Sequence, residues 1–567
     1  MLDRRRRAPG QATRGSSPDP RAWLLAAEPV ARQEWDEMLA GLKHRIAAEL
    51  VYEEGGPLLL RRYAIAGFLA GAVVVAGAMA GGSSFVSHLP GAWYFGTPGG
   101  PLGFVGSASK RAPAVSVLAV YGGLAVLGAV WWRLLRALWR NPGVQVRAVA
   151  RVLLVWAVPF VIAPPLFSRD VYSYAGQGAM VTFHIDPYSY GTGVLGATRF
   201  NLLAGPLWAN TPSPYGPTFL SLDGLLTQLS GHEILVDLFL LRLLAVVGVV
   251  LIALALSSLA RSMGRDPAAV VMLGAGSPIV LATLIGGEHN DALMVGLLLA
   301  GLAAWKRYGP VPGIVLCALA AGVKAPAALG IVLIGWNWGG LHARIPERIA
   351  RTLGALAIGA VTLAALSAVS GVGWGWVLTL TAPDKVSTGV TPVVAAAHAV
   401  TGLLHLVGDR TALAPVRTVT SIAGVALAVT AGTWLLWRSP RLGDIRALGL
   451  ALLVLALMSP VLWAWYLTWG LVVLAPVATG SLRRVLVWLG VGETLVGASS
   501  VVGIVHSLGA MSALSIMMVV VGVLAAAAAG IFAPFQARAH RWRLRSPDSL
   551  AQAATVPASP ARRPLEP

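Results

Sequence analysis

A chain of 567 residues in which 56% are hydrophobic and only 12% charged is excluded from the ordinary soluble enzymes, which carry about twice that charge. With a mean hydropathy of +0.72 it reads as an all-α polytopic membrane protein. The formal net charge of +19 does not point to nucleic acid, because the arginines gather at the ends of apolar runs, where cytoplasmic loops of membrane proteins concentrate them.

Taken in order, residues 1–60 read as a cytoplasmic basic tail plus an amphipathic helix. Met1–Pro20 has too little apolar surface to fold, while Trp35, Leu39, Leu42, Ile46 and Leu50 recur at helical spacing and suit the inner leaflet or the protein's own cytoplasmic face. Residues 61–535 are the membrane-embedded part, and 536–567 a second basic, disordered tail. The first apolar run starts near Ala64 behind Arg61-Arg62, which predicts a signal anchor rather than a cleaved signal peptide.

Spans of about 17–25 apolar residues come next. Ala64–Gly81 goes out and Ala112–Leu135 returns across a Gly- and Pro-rich loop, Gly82–Arg111. Arg133, Arg136, Arg140, Arg147 and Arg151 mark the next connection as cytoplasmic, so Val152–Phe167 travels outward. The long polar loop from Ser168 to about Glu233 is expected to hold short helices on the membrane surface. Ile234–Ala260 returns, Ala268–Ile285 goes out and Ala292–Trp305 comes back.

Pro312–Trp336 carries Lys324 and Pro326 in its middle, yet basic residues flank both ends. A re-entrant pair of half-helices pivoting at Lys324-Ala325-Pro326 satisfies both facts, because non-helical backbone at depth is tolerated against protein or a wet cavity. Arg351–Val369 and Thr411–Trp437 then flank a turn with Asp384-Lys385 and a surface helix, Thr391–Val407. Ala447–Leu462, Trp465–Ala478 and a last hairpin of Val485–Val501 with Leu508–Phe532 bring the expected total to about 12–14 membrane segments, both termini cytoplasmic. The single cysteine, Cys317, excludes an intramolecular disulfide.

Two acidic clusters meet at one membrane face in this topology. Asp170 and Asp186 stand in Ser168-Arg169-Asp170-Val171-Tyr172-Ser173-Tyr174 and Asp186-Pro187-Tyr188; Glu288 and Asp291 stand in Gly287-Glu288-His289-Asn290-Asp291. Between them come Ser213-Pro214-Tyr215-Gly216-Pro217 and the late pair Trp465-Tyr466. A carboxylate near apolar surface suits a general base, aromatic faces suit sugar rings, and Arg169, His289 or Lys324 suits a phosphate. Together these fit glycosyl transfer from a lipid phosphate.

Plainer readings stand beside these. Asp170 caps a helix or pairs with Arg169, Asp186 makes a turn before Pro187, and Asn290 or Asp291 caps the following helix. Lys324 needs either a carboxylate partner or a phosphate. The lone histidines His88, His398 and His405 lack metal-ligand spacing. A transporter or flippase of a polyprenyl-linked sugar is the rival function, since intramembrane charges and broken helices also mark transport paths.

The same motifs, with Val323-Lys324-Ala325-Pro326, resemble the polyprenol-phosphate-mannose-dependent α-1,6-mannosyltransferases of the MptB type, actinobacterial members of the GT-C superfamily. The likeness covers about Leu60 to Phe535. It implies a GT-C-type helical bundle in the cell membrane and an inverting transfer, without metal or other cofactor. The implied donor is polyprenyl phosphate mannose and the implied acceptor an α-1,6-mannan of lipomannan or a related lipoglycan. It also implies Asp170 as general base on the extracytoplasmic side. The polar and aromatic clusters themselves supply the candidate substrate-binding residues Arg169, Tyr172, Tyr174, Asp186, Tyr188, Tyr215, Glu288, His289, Asn290, Asp291, Lys324, Trp465 and Tyr466.

Overall fold

The structure, a computed structural model, describes residues 56–81, 113–377, 391–406 and 413–496. The expected N-terminal tail and amphipathic helix, His88 in the loop Gly82–Arg111, the Asp384-Lys385 turn, the helix Leu508–Phe532 and the C-terminal tail lie outside these residues. Every regular element among the described residues is helical. From Arg62 onward they belong to one packed unit.

Among the described residues, four stretches are long and apolar enough to cross a membrane: Leu60–Met79, Ile234–Ser262, Ile345–Ser370 and Leu413–Leu442. The expected spans Ala112–Leu135 and Ala292–Trp305 lie in the unbroken helices Pro113–Arg140 and Asp291–Tyr308, while others are shorter or broken, and the breaks carry polar side chains. After α1 (Gly56–Gly81), α2 (Pro113–Arg140) and α3 (Val146–Ile162) comes the turn to α4 (Asp170–Thr182). Asp170 therefore opens a helix. The expected short helices of the polar loop are α4, α5 (Arg199–Ala204), α6 (Pro206–Ala209) and α7 (Pro217–Leu229).

The long α8 (Ile234–Ser262) leads into the expected span Ala268–Ile285. That span is built as α9 (Pro267–Gly274) and a π-helical turn, Val280–Ile285, with Ser277-Pro278 interrupting the backbone ladder between them. The π turn delivers the chain into Gly286–Asn290, and α10 (Asp291–Tyr308) starts there and packs closely on α8. Glycines let α8 and α10 touch: a Cβ at Gly248 would lie 2.4 Å from the Ala292 carbonyl carbon. Such small-residue contacts are how helices associate where no water drives them together.

The break at Lys324 is real. α11 (Pro310–Ala321) stops, Lys324 is extended, a 3-10 turn covers Ala325–Ala327, and α12 (Ala328–Asn337) begins. In a straight helix Cys317 and Gly330 would stand about 20 Å apart. Here a Cβ on Gly330 would lie 3.0 Å from the Cys317 sulfur. The two half-helices therefore fold back on each other with Lys324 at the tip.

The described residues end with α13 (Ile345–Ser370), α14 (Pro392–Leu406), α15 (Leu413–Leu442) and α16 (Asp444–Met458), then α17 (Leu467–Leu474) and α18 (Gly480–Val496). The expected surface helix at Thr391–Val407 is α14. The expected span Trp465–Ala478 is one continuous apolar helix, Ala464–Val477, whose first and last turns, Ala464–Tyr466 and Ala475–Val477, tighten to 3-10 around α17. Apolar side chains on α13 and α15 point outward, among them Val361, Val419 and Val429, each more than 60% exposed. A surface of that kind is at home in lipid.

Candidate active site

The turn between α3 and α4 is tied to the turn before α10. Leu166 donates its backbone N–H to the Gly286 carbonyl at 2.8 Å. Arg242 on α8 reinforces the tie: its guanidinium donates to the carbonyls of Phe160, Val161 and Ala163, at the end of α3, and pairs with the Glu288 carboxylate. Both ions are almost wholly buried. Two residues beside this joint hold left-handed backbone rare for side chains larger than glycine, Phe167 at φ 64° and Glu288 at φ 57°. Each stands just ahead of the residues that meet across the gap.

Those residues are Asp170 and His289. The Asp170 carboxylate lies 3.5 Å from His289 Nδ1, with an 18% exposed side chain against 1% for the histidine. Trp208 on α6 donates to the carboxylate, and the Asp170 N–H is taken by Ser168 Oγ at 3.1 Å. Burial pushes the Asp170 carboxyl up to about 6; the Lys324 charge works against that and the Asp291 charge adds to it. Burial, helped by Lys324, holds the His289 imidazole well below its usual range and therefore neutral. Neither ring nitrogen of His289 nor either amide atom of Asn290 has a hydrogen-bond partner among the described residues. The His289 ring stacks on Trp465 at 3.7 Å between centroids, and Trp465 in turn on Trp463.

Asp291, at the first position of α10, is fully buried and takes its side-chain bonds from distant chain. Lys324 Nζ stands 3.0 Å from each carboxylate oxygen, and Trp469 Nε1 donates at 2.5 Å. The ammonium is ringed by aromatic faces, 4.4 Å from the Tyr466 centroid, 5.5 Å from Trp469 and 6.0 Å from Tyr215. It keeps 13% of its side-chain surface open. So Lys324 has a carboxylate partner and an open side as well.

Tyr215 is carried there by a backbone contact. A Cβ at Gly216 would lie 2.6 Å from the Gly322 carbonyl oxygen, and Phe219 donates to that same oxygen at 3.2 Å. Ser213 fixes the other end of the motif, bonding Gln177 through its hydroxyl and Pro187 through its N–H. Tyr174 and Phe219 pack edge-on against Tyr215 and complete an aromatic wall.

The structure thus brings together Asp170, Tyr174, Tyr215, His289, Asp291, Lys324, Trp465 and Tyr466, with Asn290 between two of them. Other candidates stand elsewhere. Asp186 makes the turn read beside its functional role, accepting from the Tyr188 N–H at 2.9 Å and the Ser189 hydroxyl at 2.6 Å. Tyr188 packs against Gly375, Arg169 lies exposed beside Gly205, and Tyr172 is buried within α4. Glu288 faces Arg242. Three residues of the site were not singled out in the sequence: Arg242, Trp208 and Trp469. An arginine inside an apolar span is itself a signal, and Trp469 follows Trp465 at helical spacing.

A family model described as the α-(1→6)-mannopyranosyltransferase N-terminal domain matches residues 64–340, and one described as the MptB C-terminal domain matches residues 391–533. A probable α-(1→6)-mannopyranosyltransferase of Mycolicibacterium smegmatis is 33% identical over 411 residues, 65% of this chain and 72% of that one. The chain belongs to this mannopyranosyltransferase family. α-(1→6)-Mannopyranosyltransferase A of Mycobacterium tuberculosis is 31% identical over 377 residues, 64% of this chain and 72% of its own. Its namesake in Corynebacterium glutamicum is 30% identical over 310 residues, 50% and 63% of the two chains. No solved structure matches this family member. The N-terminal match contains Asp170, the Glu288–Asp291 turn and the Lys324 tip, while Trp465 and Tyr466 fall in the C-terminal one.

Proposed function

We propose that this protein transfers mannose from polyprenyl phosphate mannose to an α-1,6-mannan acceptor of lipomannan or a related lipoglycan, at the extracytoplasmic face of the cell membrane. The observation that carries the reading is the sharing of one partly open site by two opposite groups. Asp170 is a carboxylate whose affinity for a proton is raised, and Lys324 is an ammonium anchored by Asp291 with one side open. A lipid-linked sugar needs this pair, a base for the acceptor hydroxyl and a cation for the departing phosphate.

In the reaction, the acceptor O6 attacks the anomeric carbon of the donor mannose as its proton passes to Asp170. The bond from that carbon to the phosphate oxygen breaks, and its electron pair leaves on the polyprenyl phosphate, where Lys324 meets the added charge. A single displacement inverts the anomeric centre. Neutral His289 and Asn290 offer unpaired donors and acceptors to sugar hydroxyls, and the wall of Tyr174, Tyr215 and Tyr466 offers ring faces. Glu288, paired with Arg242, holds the turn that presents them. The sidedness is supported by α3, whose arginine-rich start and Asp170 end lie on opposite sides of one apolar segment.

The test is elongation of a mannoside acceptor by membranes containing the protein, with radiolabelled polyprenyl phosphate mannose and with or without chelator. Transfer is expected in both arms, and Asp170→Asn is expected to lower it about 10²–10⁴-fold at equal protein abundance. Normal transfer by the variant removes Asp170 as base. Donor crossing the bilayer with no longer glycan formed establishes the transporter instead.

A further inference from the structure

A cavity of about 380 Å³ opens between α12, α15 and α16, away from the reacting groups, and no charged residue lines it. Its walls begin at the site. Leu329, Val332 and Leu333 line one side on α12, the half-helix that starts just past Lys324. Met458, Ser459 and Pro460 also line the cavity, and the chain continues from them to Trp463, Trp465 and Tyr466. The two segments that frame the Lys324 ammonium are therefore the two that run on into the cavity walls. The third wall, α15, has the most exposed apolar window of the four long helices, only 11% buried.

We infer that this groove holds the isoprenoid chain of the lipid-linked donor, with the phosphate at Lys324. The inference rests on the donor proposed above and adds where its tail lies. Three observations select that occupant. The groove is apolar almost throughout, its walls lead back to the Lys324 cation, and it opens along a helix whose apolar side chains are largely exposed. A polyprenyl phosphate has the same order of parts: a long hydrocarbon, then an anion. An acyl chain of a bulk phospholipid is the rival occupant, and it gains nothing from the connection to Lys324.

Gly432 on α15 lines the groove, and a Cβ there would meet no atom within 4 Å. Gly432→Phe consequently places a ring in open groove space without displacing backbone; Ala451→Phe on α16 narrows it from another wall. The purified full chain in nanodiscs is assayed with a long-chain polyprenyl phosphate mannose and with geranyl phosphate mannose, whose short tail ends near the phosphate. In both variants kcat/KM for the long donor is expected to fall about tenfold or more relative to the short one, the loss of a few buried methylene groups. In the unsubstituted chain, a long polyprenyl phosphate with a diazirine on its tail is expected to label peptides of α12, α15 or α16.

Transfer with an unchanged long-to-short ratio in both variants, and label outside those helices, overturns the groove and leaves the function standing. Label in those helices with no transfer from either donor supports the groove and overturns the transfer reaction. Because the label is read on the unsubstituted protein, misfolding of a variant does not remove the test.

Discussion

The turn Glu288–Asp291 builds two ion pairs a few residues apart, and they differ in every respect that decides what a charge does. Glu288 meets Arg242 in a fully enclosed pair whose guanidinium is further saturated by three backbone carbonyls. Asp291 meets Lys324 under aromatic rings, with the ammonium partly open and unpaired polar atoms of His289 and Asn290 beside it. The first pair is closed to a ligand by its burial, although Glu288 Oε2 has no hydrogen-bond partner among the described residues, and it locks α3, α8 and the turn together. The second leaves capacity on one side, which a structural pair would have closed. A sequence motif can thus divide into a half that holds and a half that, in the proposed reaction, acts.

The largest effects should separate the two halves. Arg242→Met leaves the Glu288 carboxylate buried and uncompensated, a loss of about 3–5 kcal/mol; it should register as a strongly lowered Tm and poor recovery of monodisperse protein. Lys324→Met combined with Asp291→Asn removes both charges of the other pair together, so folding should survive while transfer falls about 10²-fold or more. Thermal unfolding and the mannoside elongation assay on the same preparations check both. The division fails if the double variant transfers normally, or if Arg242→Met keeps its Tm and loses only transfer.

Legibility in the sequence divides along the same line. The helical membrane architecture, the break at Lys324 and the gathering of Asp170, His289, Asp291 and Lys324 were readable, because a proline beside a lysine inside an apolar run, or a carboxylate at the end of one, is anomalous in local sequence. The helix after Thr391 was readable from its length. The holding half was not. Whether Glu288 faces a substrate or Arg242 depends on α8 packing beside the end of α3, a contact between Phe160 and Arg242 that no local periodicity encodes. The same holds for Asp186, where turn and active-site carboxylate share one local pattern, and for Trp208, which reaches Asp170 from a short helix in a loop. The breaking of the expected span Ala268–Ile285 at Ser277-Pro278 also escaped a reading by apolar length, since both pieces are apolar throughout.

The next effect concerns pH and touches only the acting half. Asp170 must be ionised to take the acceptor proton, and its carboxyl is pushed up to about 6. Hence kcat/KM should be at its plateau above that pH and fall as pH drops through it, with an acid limb near 6 rather than near the ordinary carboxylate range of about 4. No such limb is expected from Glu288, whose pairing with Arg242 is not a proton-transfer contact. A profile flat down to about pH 4.5 in folded enzyme would break the link between Asp170 and the proton.

Trp208→Phe sharpens that link with the smallest change. The indole N–H donates to the Asp170 carboxylate and so favours its charged form, as does the Lys324 ammonium. Replacing the indole with a phenyl ring removes the donor, keeps an aromatic face, and leaves the charges in place. The carboxyl then holds its proton to a higher pH, and the acid limb moves upward. One neutral donor contributes about 1 kcal/mol net, so the displacement should be less than about one pH unit. At about pH 8, above both limbs, the variant's kcat should approach that of the parent, whereas at about pH 6 it should lag. A limb that stays put while the rate falls equally at every pH would mean that Trp208 contacts the substrate and not the base.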